Sequence, residues 1–153
     1  MDIKEISLAE LDLVAPLFDA YRVFYRQPSD LAGAKAFLKE RIENNETVIY
    51  MAVVDGKPAG FTHLFPLFSS VAMKRLWLLN DLFVAEEFRK KGIGAALMEK
   101  ARQLAVGTGA AGVMLETEAA NTTAQGLYEK LGFVKSKDFF YFLSTSDAAT
   151  KVM

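Results

Sequence analysis

Cysteine is absent from this 153-residue chain, histidine occurs once, at position 63, and proline only four times. Each shortage removes a class of chemistry. Without cysteine there is no disulfide framework, thiolate metal site or thiol nucleophile, and a reducing cytoplasm is the expected compartment. With His63 alone, one chain cannot assemble a two-histidine zinc or non-haem iron centre, so no metal site is expected, and a Ser-His-Asp triad would have to be built on that residue. Charge of one sign is missing too. The 18 Lys and Arg nearly balance the 19 Asp and Glu, which argues against a nucleic-acid binder, whose affinity comes from many cationic contacts to phosphate. The longest uncharged stretch, Pro58 to Met73, is broken by His63, Pro66 and two serines. It falls short of the run of about 18 apolar residues that a membrane span needs. Met1-Asp2-Ile3-Lys4-Glu5 offers no apolar signal core, so neither secretion nor membrane insertion is expected.

What is present is a core. Apolar side chains make up 52% of the chain, and a domain of this length buries about two-thirds of its unfolded surface, enough to hold together without staples. No linker, charge block or repeat divides it, so a single domain over 1–153 is expected. Residues 2–6 predict a short strand, and Ser7-Leu8-Ala9-Glu10 is a capping box opening a helix that Pro16 should kink or break. Ser29 or Asp30 caps a second helix carrying Leu31, Ala34, Leu38 and Ile42, which ends near Asn44-Asn45. Val48–Val54 reads as a buried strand, Asp55-Gly56 as a hairpin turn, and 58–65 and 76–84 as the next two strands. Residues 92–106 form an amphipathic helix, 113–118 a strand, 122–131 a helix stopped by Gly132, and 133–135 with 139–143 a closing strand pair. This order implies a mixed α/β sheet of about six to seven strands with about four helices, antiparallel early and with a parallel crossover around the 92–106 helix.

The chemistry concentrates where the 76–84 strand runs into Arg89-Lys90-Lys91-Gly92-Ile93-Gly94-Ala95. Orphan N–H groups and the positive dipole end at a helix start suit a phosphate. Gly92 and Gly94 let it approach the backbone, and three basic residues add charge. The plainer reading is a tight turn beside a solvated basic face. A dinucleotide fingerprint would need glycine where Leu97 stands, and no GK[ST] exists for a P-loop.

Arg89-Lys90-Lys91-Gly92-Ile93-Gly94 resembles the pyrophosphate loop [RQ]-x-x-G-x-[GA] of the GCN5-related N-acetyltransferases. Asn121-Thr122-Thr123-Ala124-Gln125-Gly126-Leu127-Tyr128-Glu129-Lys130-Leu131-Gly132-Phe133 is similar to that family's second signature, N-x-x-A-x-x-L-Y-x-x-x-G-F. Together the motifs cover roughly 76–135; the first 75 residues match only in the order of elements. The resemblance implies acetyl-CoA as co-substrate, held by the loop from Arg89 to Ala95, by backbone of Leu82, Phe83 and Val84 acting as an added-strand edge, and by Asn121, whose alternative role is simply to cap the helix that follows it. It implies Tyr128 as the acid that protonates the departing thiolate, and a homodimer. It also implies an amine acceptor, as in the subgroup that acetylates polyamines, histone tails or amino acids.

Some relatives carry a glutamate base where this chain has Asn80, and an amide cannot take a proton. The base is therefore open among Asp81, Glu116, Glu118, His63 and a water chain, with Asp81 the first choice. In strict alternation Trp77, Leu79, Asp81 and Phe83 share one face, and a bulge would change that. Tyr25, Arg26, Asn80 and Glu118 are the candidate acceptor contacts. Arg22 and Arg26 would suit a carboxylate-bearing amine. Gly126, inside a helix at a cost of about 1 kcal/mol, suggests close approach of cofactor or strand. Two rivals are an acyl-CoA-binding sensor or scaffold without turnover, favoured by the missing glutamate and opposed by Tyr128, and a nucleotide-binding regulator using Gly92–Gly94.

Overall fold

The computed structural model describes residues 1–146. Ser7 does open the helical region, but its hydroxyl accepts from Ala9 N–H and donates to Glu10, winding a 3₁₀ turn over Leu8–Glu10 before α1, Leu11–Phe24, begins. Of the kink or break expected at Pro16, the break does not occur, since α1 runs through it. Pro16 and Asp12 both lie on the exposed face, where water can satisfy the one carbonyl that the missing N–H leaves free. Asp30 caps α2, Leu31–Glu43, by accepting from Gly33 N–H at 2.9 Å.

Strand β1, Asp2–Glu5, pairs antiparallel with β2, Val48–Val54, which turns at Asp55-Gly56, both at positive φ, into β3, Lys57–Ser69. β3 pairs antiparallel with β4, Lys74–Val84. Helix α3, Ile93–Gly107, then crosses over to β5, Val113–Met114, which lies parallel to β4. The sheet order is β1-β2-β3-β4-β5. α1 and α2 cover one face, packing Val14, Phe18, Ala34 and Leu38 on Ile49, Met51 and Phe61. α3 covers the other with Ile93 and Leu97 on Ala52 and Ala59. Each of the larger of these side chains, Val, Leu, Ile, Met or Phe, contributes about 1.5–3 kcal/mol on burial.

The chain divides into two compact units, Met1–Leu115, which holds this sheet, and a smaller one beginning at Glu116, which holds α4, Thr122–Lys130. The fold is mixed α/β as expected, with fewer strands. The predicted 113–118 strand shortens to two residues, and the closing pair at 133–135 and 139–143 is not formed among the described residues. Phe139 to Leu143 have the side chains of a strand, but β propensity acts only through a pleated partner, and no ladder reaches them. No helix among the described residues is long and apolar enough to cross a membrane.

Candidate active site

Strand β4 has two different halves. Its first half is bonded on both sides, to β3 throughout and to β5 at Trp77 and Leu78. Beyond Leu78, the only strand paired with it among the described residues is β3. Ala85 N–H donates to Ala59 at 2.8 Å, so Ala85 faces β3. Alternation then turns the N–H and C=O of Leu82 and Val84 to the open edge. Arg89 Nε takes the Val84 carbonyl at 2.9 Å, and the Leu82 peptide groups and Val84 N–H are left as a bonding edge of the kind an extended ligand completes.

The register slips where the halves meet. Leu64 pairs with Leu79 but His63 pairs with Asp81, so Asn80 is an extra residue. This bulge overturns strict alternation: Trp77 and Leu79 stay on the α3 face, while Asp81 and Phe83 join His63 and Phe61 on the α1 face. Thr62 Oγ1 donates to the Asp81 carbonyl at 2.9 Å.

On the α1 face the bulge gathers three polar side chains. His63 is fully buried and Asp81 is 4% exposed; His63 Nδ1 lies 2.8 Å from Asp81 Oδ2, and Asn80 Nδ2 lies 3.0 Å from Asp81 Oδ1. A carboxylate only accepts, so the imidazole hydrogen sits on Nδ1 and the amide of Asn80 presents its NH₂ to Asp81. His63 Nε2 is buried without a partner among the described residues, and its ring packs against Phe65 and the edge of Phe18. Asp81, the first choice for a base, accepts at both oxygens and is 4% exposed. Tyr21 closes the cluster: its hydroxyl lies 3.5 Å from the Asn80 carbonyl oxygen and its ring meets Tyr25 and Phe83. So Tyr25, Asn80 and Asp81 come together, whereas Arg26 is an exposed residue at φ +69 just beyond α1.

Downstream, Gly92 is the N-cap of α3 at φ +79, a conformation that a side chain resists, and it offers no side-chain cap to the first turn. Ile93 is buried against the sheet and anchors the helix start. Gly94 and Ala95 follow in that turn, and Lys90 and Lys91 are exposed, with Lys90 also left-handed at φ +63. Arg89 is differently placed. Its guanidinium lies over Phe24 and Phe83, beside a cavity of about 350 Å³ also lined by Leu17, Ala20 and Ala85.

In the smaller unit, Asn121 Oδ1 accepts from Ala124 N–H at 3.2 Å and caps α4. Glu118 and Ala119 carbonyls accept from Gln125 Nε2, securing the approach to the helix. Tyr128 is half-buried, 6.0 Å from the Phe133 ring, and Gly132 ends the helix at φ +98. A Cβ at Gly126 would meet nothing among the described residues, so no neighbouring strand explains that glycine. No group of three or more His, Asp or Glu capable of holding a metal occurs among the described residues.

His63 and Asp81 each stand out in the sequence, but their contact follows only from the strand register. Counting back from the β3–β4 turn, where Ser69 pairs with Lys74, places His63 opposite Asn80, and the bulge moves it to Asp81.

Comparison with known proteins gives a consistent outcome. The profile of the acetyltransferase (GNAT) family matches residues 14–133. An uncharacterized N-acetyltransferase of Bacillus subtilis, YhfO, is 46% identical over 142 residues, covering 93% of this chain and 95% of that protein. A crystal structure of a probable acetyltransferase superposes with a TM-score of 0.91 at 40% identity, covering 97% of this chain and all of that one. An aminoglycoside N-acetyltransferase solved in complex with CoA shares the fold, with a TM-score of 0.78 at 20% identity over 95% of each chain.

Proposed function

The chain belongs to the GNAT acetyltransferase family and is an acyltransferase, and from that premise we propose that it moves an acetyl group from acetyl-CoA directly to a primary amine of a small molecule or peptide. The observation that carries this reading is the open edge of β4 leading straight into a glycine-started helix. The pantetheine arm adds to that edge as a strand does, bonding Leu82 and Val84, and the pyrophosphate lies on the first-turn N–H groups around Gly92, Ile93, Gly94 and Ala95, with Lys90 and Lys91 supplying charge. A helix start that no side chain caps suits a ligand phosphate. Arg89, through Val84, holds the end of the edge in place. Asn121 adds a contact to the arm.

Backbone N–H groups at the end of the open edge polarise the thioester carbonyl, and the amine nitrogen attacks its carbon. As the C–S bond breaks, Tyr128 gives its proton to sulfur. Thiols at about 8.5 and phenols at about 10 are close enough in acidity for that exchange. The nitrogen sheds one proton, which returns the tyrosine to its neutral form through solvent. Tyr25 and Asn80 lie on the acceptor side with Arg26, whose fork suits a carboxylate on the acceptor, and Glu118 is a further acceptor contact.

Thiol release from acetyl-CoA with a panel of amines tests this. Amine-dependent release is expected, and Tyr128→Phe should lower kcat by about 10²–10⁴-fold, the usual worth of a positioned acid, with CoA affinity retained. Tight CoA binding without turnover on any amine supports a binding module instead.

A further inference from the structure

We propose that the buried pair His63 and Asp81 is a register key: it pins the β4 bulge at Asn80 and so chooses which peptide groups of β4 the cofactor meets. Both are positioning residues in this role, acting through the strand. The inference rests on the acetyl-transfer reading above and concerns what holds its binding edge in place.

The bulge inverts the edge. Trp77 N–H donates to the Gly112 carbonyl at 3.1 Å, on the side away from β3. Strict alternation from Trp77 would aim the N–H groups of Leu79, Asp81, Phe83 and Ala85 to that same side. Ala85 N–H instead donates to Ala59 on β3 at 2.8 Å, because Asn80 is one residue too many for the ladder. With the bulge, Leu82 and Val84 face the open edge. In a regular ladder those two would face β3, and Asp81 and Phe83 would face outward.

The apolar pattern does little to choose between these registers. Leu82 and Val84 pack on the α3 face and Phe83 on the α1 face, so reversing them exchanges one apolar set for another, whereas register is specified by a difference between faces. The polar residues do choose. In the bulged register the Asp81 carboxylate meets His63 Nδ1 at 2.8 Å and Asn80 Nδ2 at 3.0 Å. Thr62 Oγ1 bonds the Asp81 carbonyl at 2.9 Å and the Tyr21 hydroxyl lies 3.5 Å from that of Asn80, so side chains serve the carbonyls of both residues. In the regular register, continued from Leu64 opposite Leu79, Asp81 falls opposite Thr62 on the α3 face and His63 opposite Asn80. The carboxylate is then offered one hydroxyl, and a buried carboxylate short of donors is costly. Stability explains the pair poorly. His63 Nε2 is buried with no partner among the described residues, and buried polar pairs are often replaced by apolar residues without loss, while fixing register is their best-attested use.

Residue-by-residue amide hydrogen exchange by NMR, together with calorimetric CoA binding, tests this in wild type, in the double variant His63→Leu with Asp81→Val, and in Asp81→Asn. Removing both partners avoids the uncompensated carboxylate that His63→Leu alone would bury. In the free wild type, Leu82 and Val84 should exchange about tenfold or more faster than Phe83 and Ala85, and CoA should slow the faster two. The double variant should melt at or above the wild-type Tm, lose or reverse that contrast, and bind CoA about tenfold or more weakly, as expected when edge hydrogen bonds are lost. Asp81→Asn keeps the shape and an acceptor for His63, and Asn80 can turn its amide to match, so exchange pattern and CoA affinity should stay close to wild type. A double variant with the wild-type contrast and affinity overturns the proposal, as does one that melts well below wild type, or an Asp81→Asn protein that loses the contrast as fully. If the wild type binds no CoA, the acetyl-transfer reading falls, while the exchange contrast among the free proteins still decides the register.

Discussion

Strand β4 is flanked on its second side between Arg75 and Leu78 and, among the described residues, open from Leu79 to Val84, and the two stretches do different work with similar residues. In the closed half, Trp77 is buried on the α3 face and its indole Nε1 donates to Thr108 at 2.9 Å, tying the strand to the end of α3. In the open half, Leu82 and Val84 pack beside the start of the same helix while their peptide groups face a free edge. Both halves bury apolar surface, but only the first also satisfies its backbone internally. Stability should reside in the closed half and ligand binding in the open half, with the bulge at Asn80 as the boundary.

The largest break in that division is Trp77→Ala. Losing a buried indole and its hydrogen bond should cost about 3–5 kcal/mol, read as a fall in denaturant midpoint, with CoA affinity unchanged in the fraction that folds. Comparable loss of affinity at full folding would show that the halves are not separable. A sharper test uses proline on adjacent residues. Phe83→Pro deletes an N–H that faces β3 and should cost about 3 kcal/mol, whereas Leu82→Pro deletes one that faces the open edge and should cost clearly less. For CoA binding the order should reverse, with Leu82→Pro the more damaging when each is measured by calorimetry under folding conditions. Equal unfolding costs would mean that Leu82 is not an edge residue.

These tests also mark where the sequence was readable. The charge-free Val48–Val54 run and the Asp55-Gly56 turn declare themselves by pattern, because burial on both faces and positive φ each demand particular residues. Gly92 is legible for the same reason. Strand β4 is legible as a strand, but its open edge is not, since that depends on where β5 stops, and β5 stops after two residues of a stretch that looks three times as long. The bulge is likewise a property of pairing. It is why His63 and Asp81, far apart in sequence and both plausible as bases, turn out to be partners that occupy each other. Arg89 donates its Nε to the Val84 carbonyl, a contact that composition cannot reveal. The closing strands fail for a related reason: Phe139 to Phe142 have the right side chains, but a strand exists only against a neighbour.

The smallest effects separate the two ends of α3, one beside each half of β4. Gly107 is the last helical residue, and a Cβ there meets nothing among the described residues. Gly107→Ala should therefore stabilise by about 0.5–1 kcal/mol through helix propensity and reduced freedom of the unfolded chain. Gly92 has the same empty surroundings, but its φ of +79 makes any side chain strained, so Gly92→Ala should destabilise by about 1 kcal/mol. Space is equal at the two sites, and backbone conformation alone gives the opposite signs. Only the change at Gly92 should also weaken CoA binding, because it lies where the phosphates are proposed to rest and Gly107 lies at the far end. Thermal melts of both variants with and without CoA decide it: a ligand-induced rise in Tm that matches wild type in Gly107→Ala but shrinks in Gly92→Ala places the phosphates at the open half. An equal rise in both would place them elsewhere.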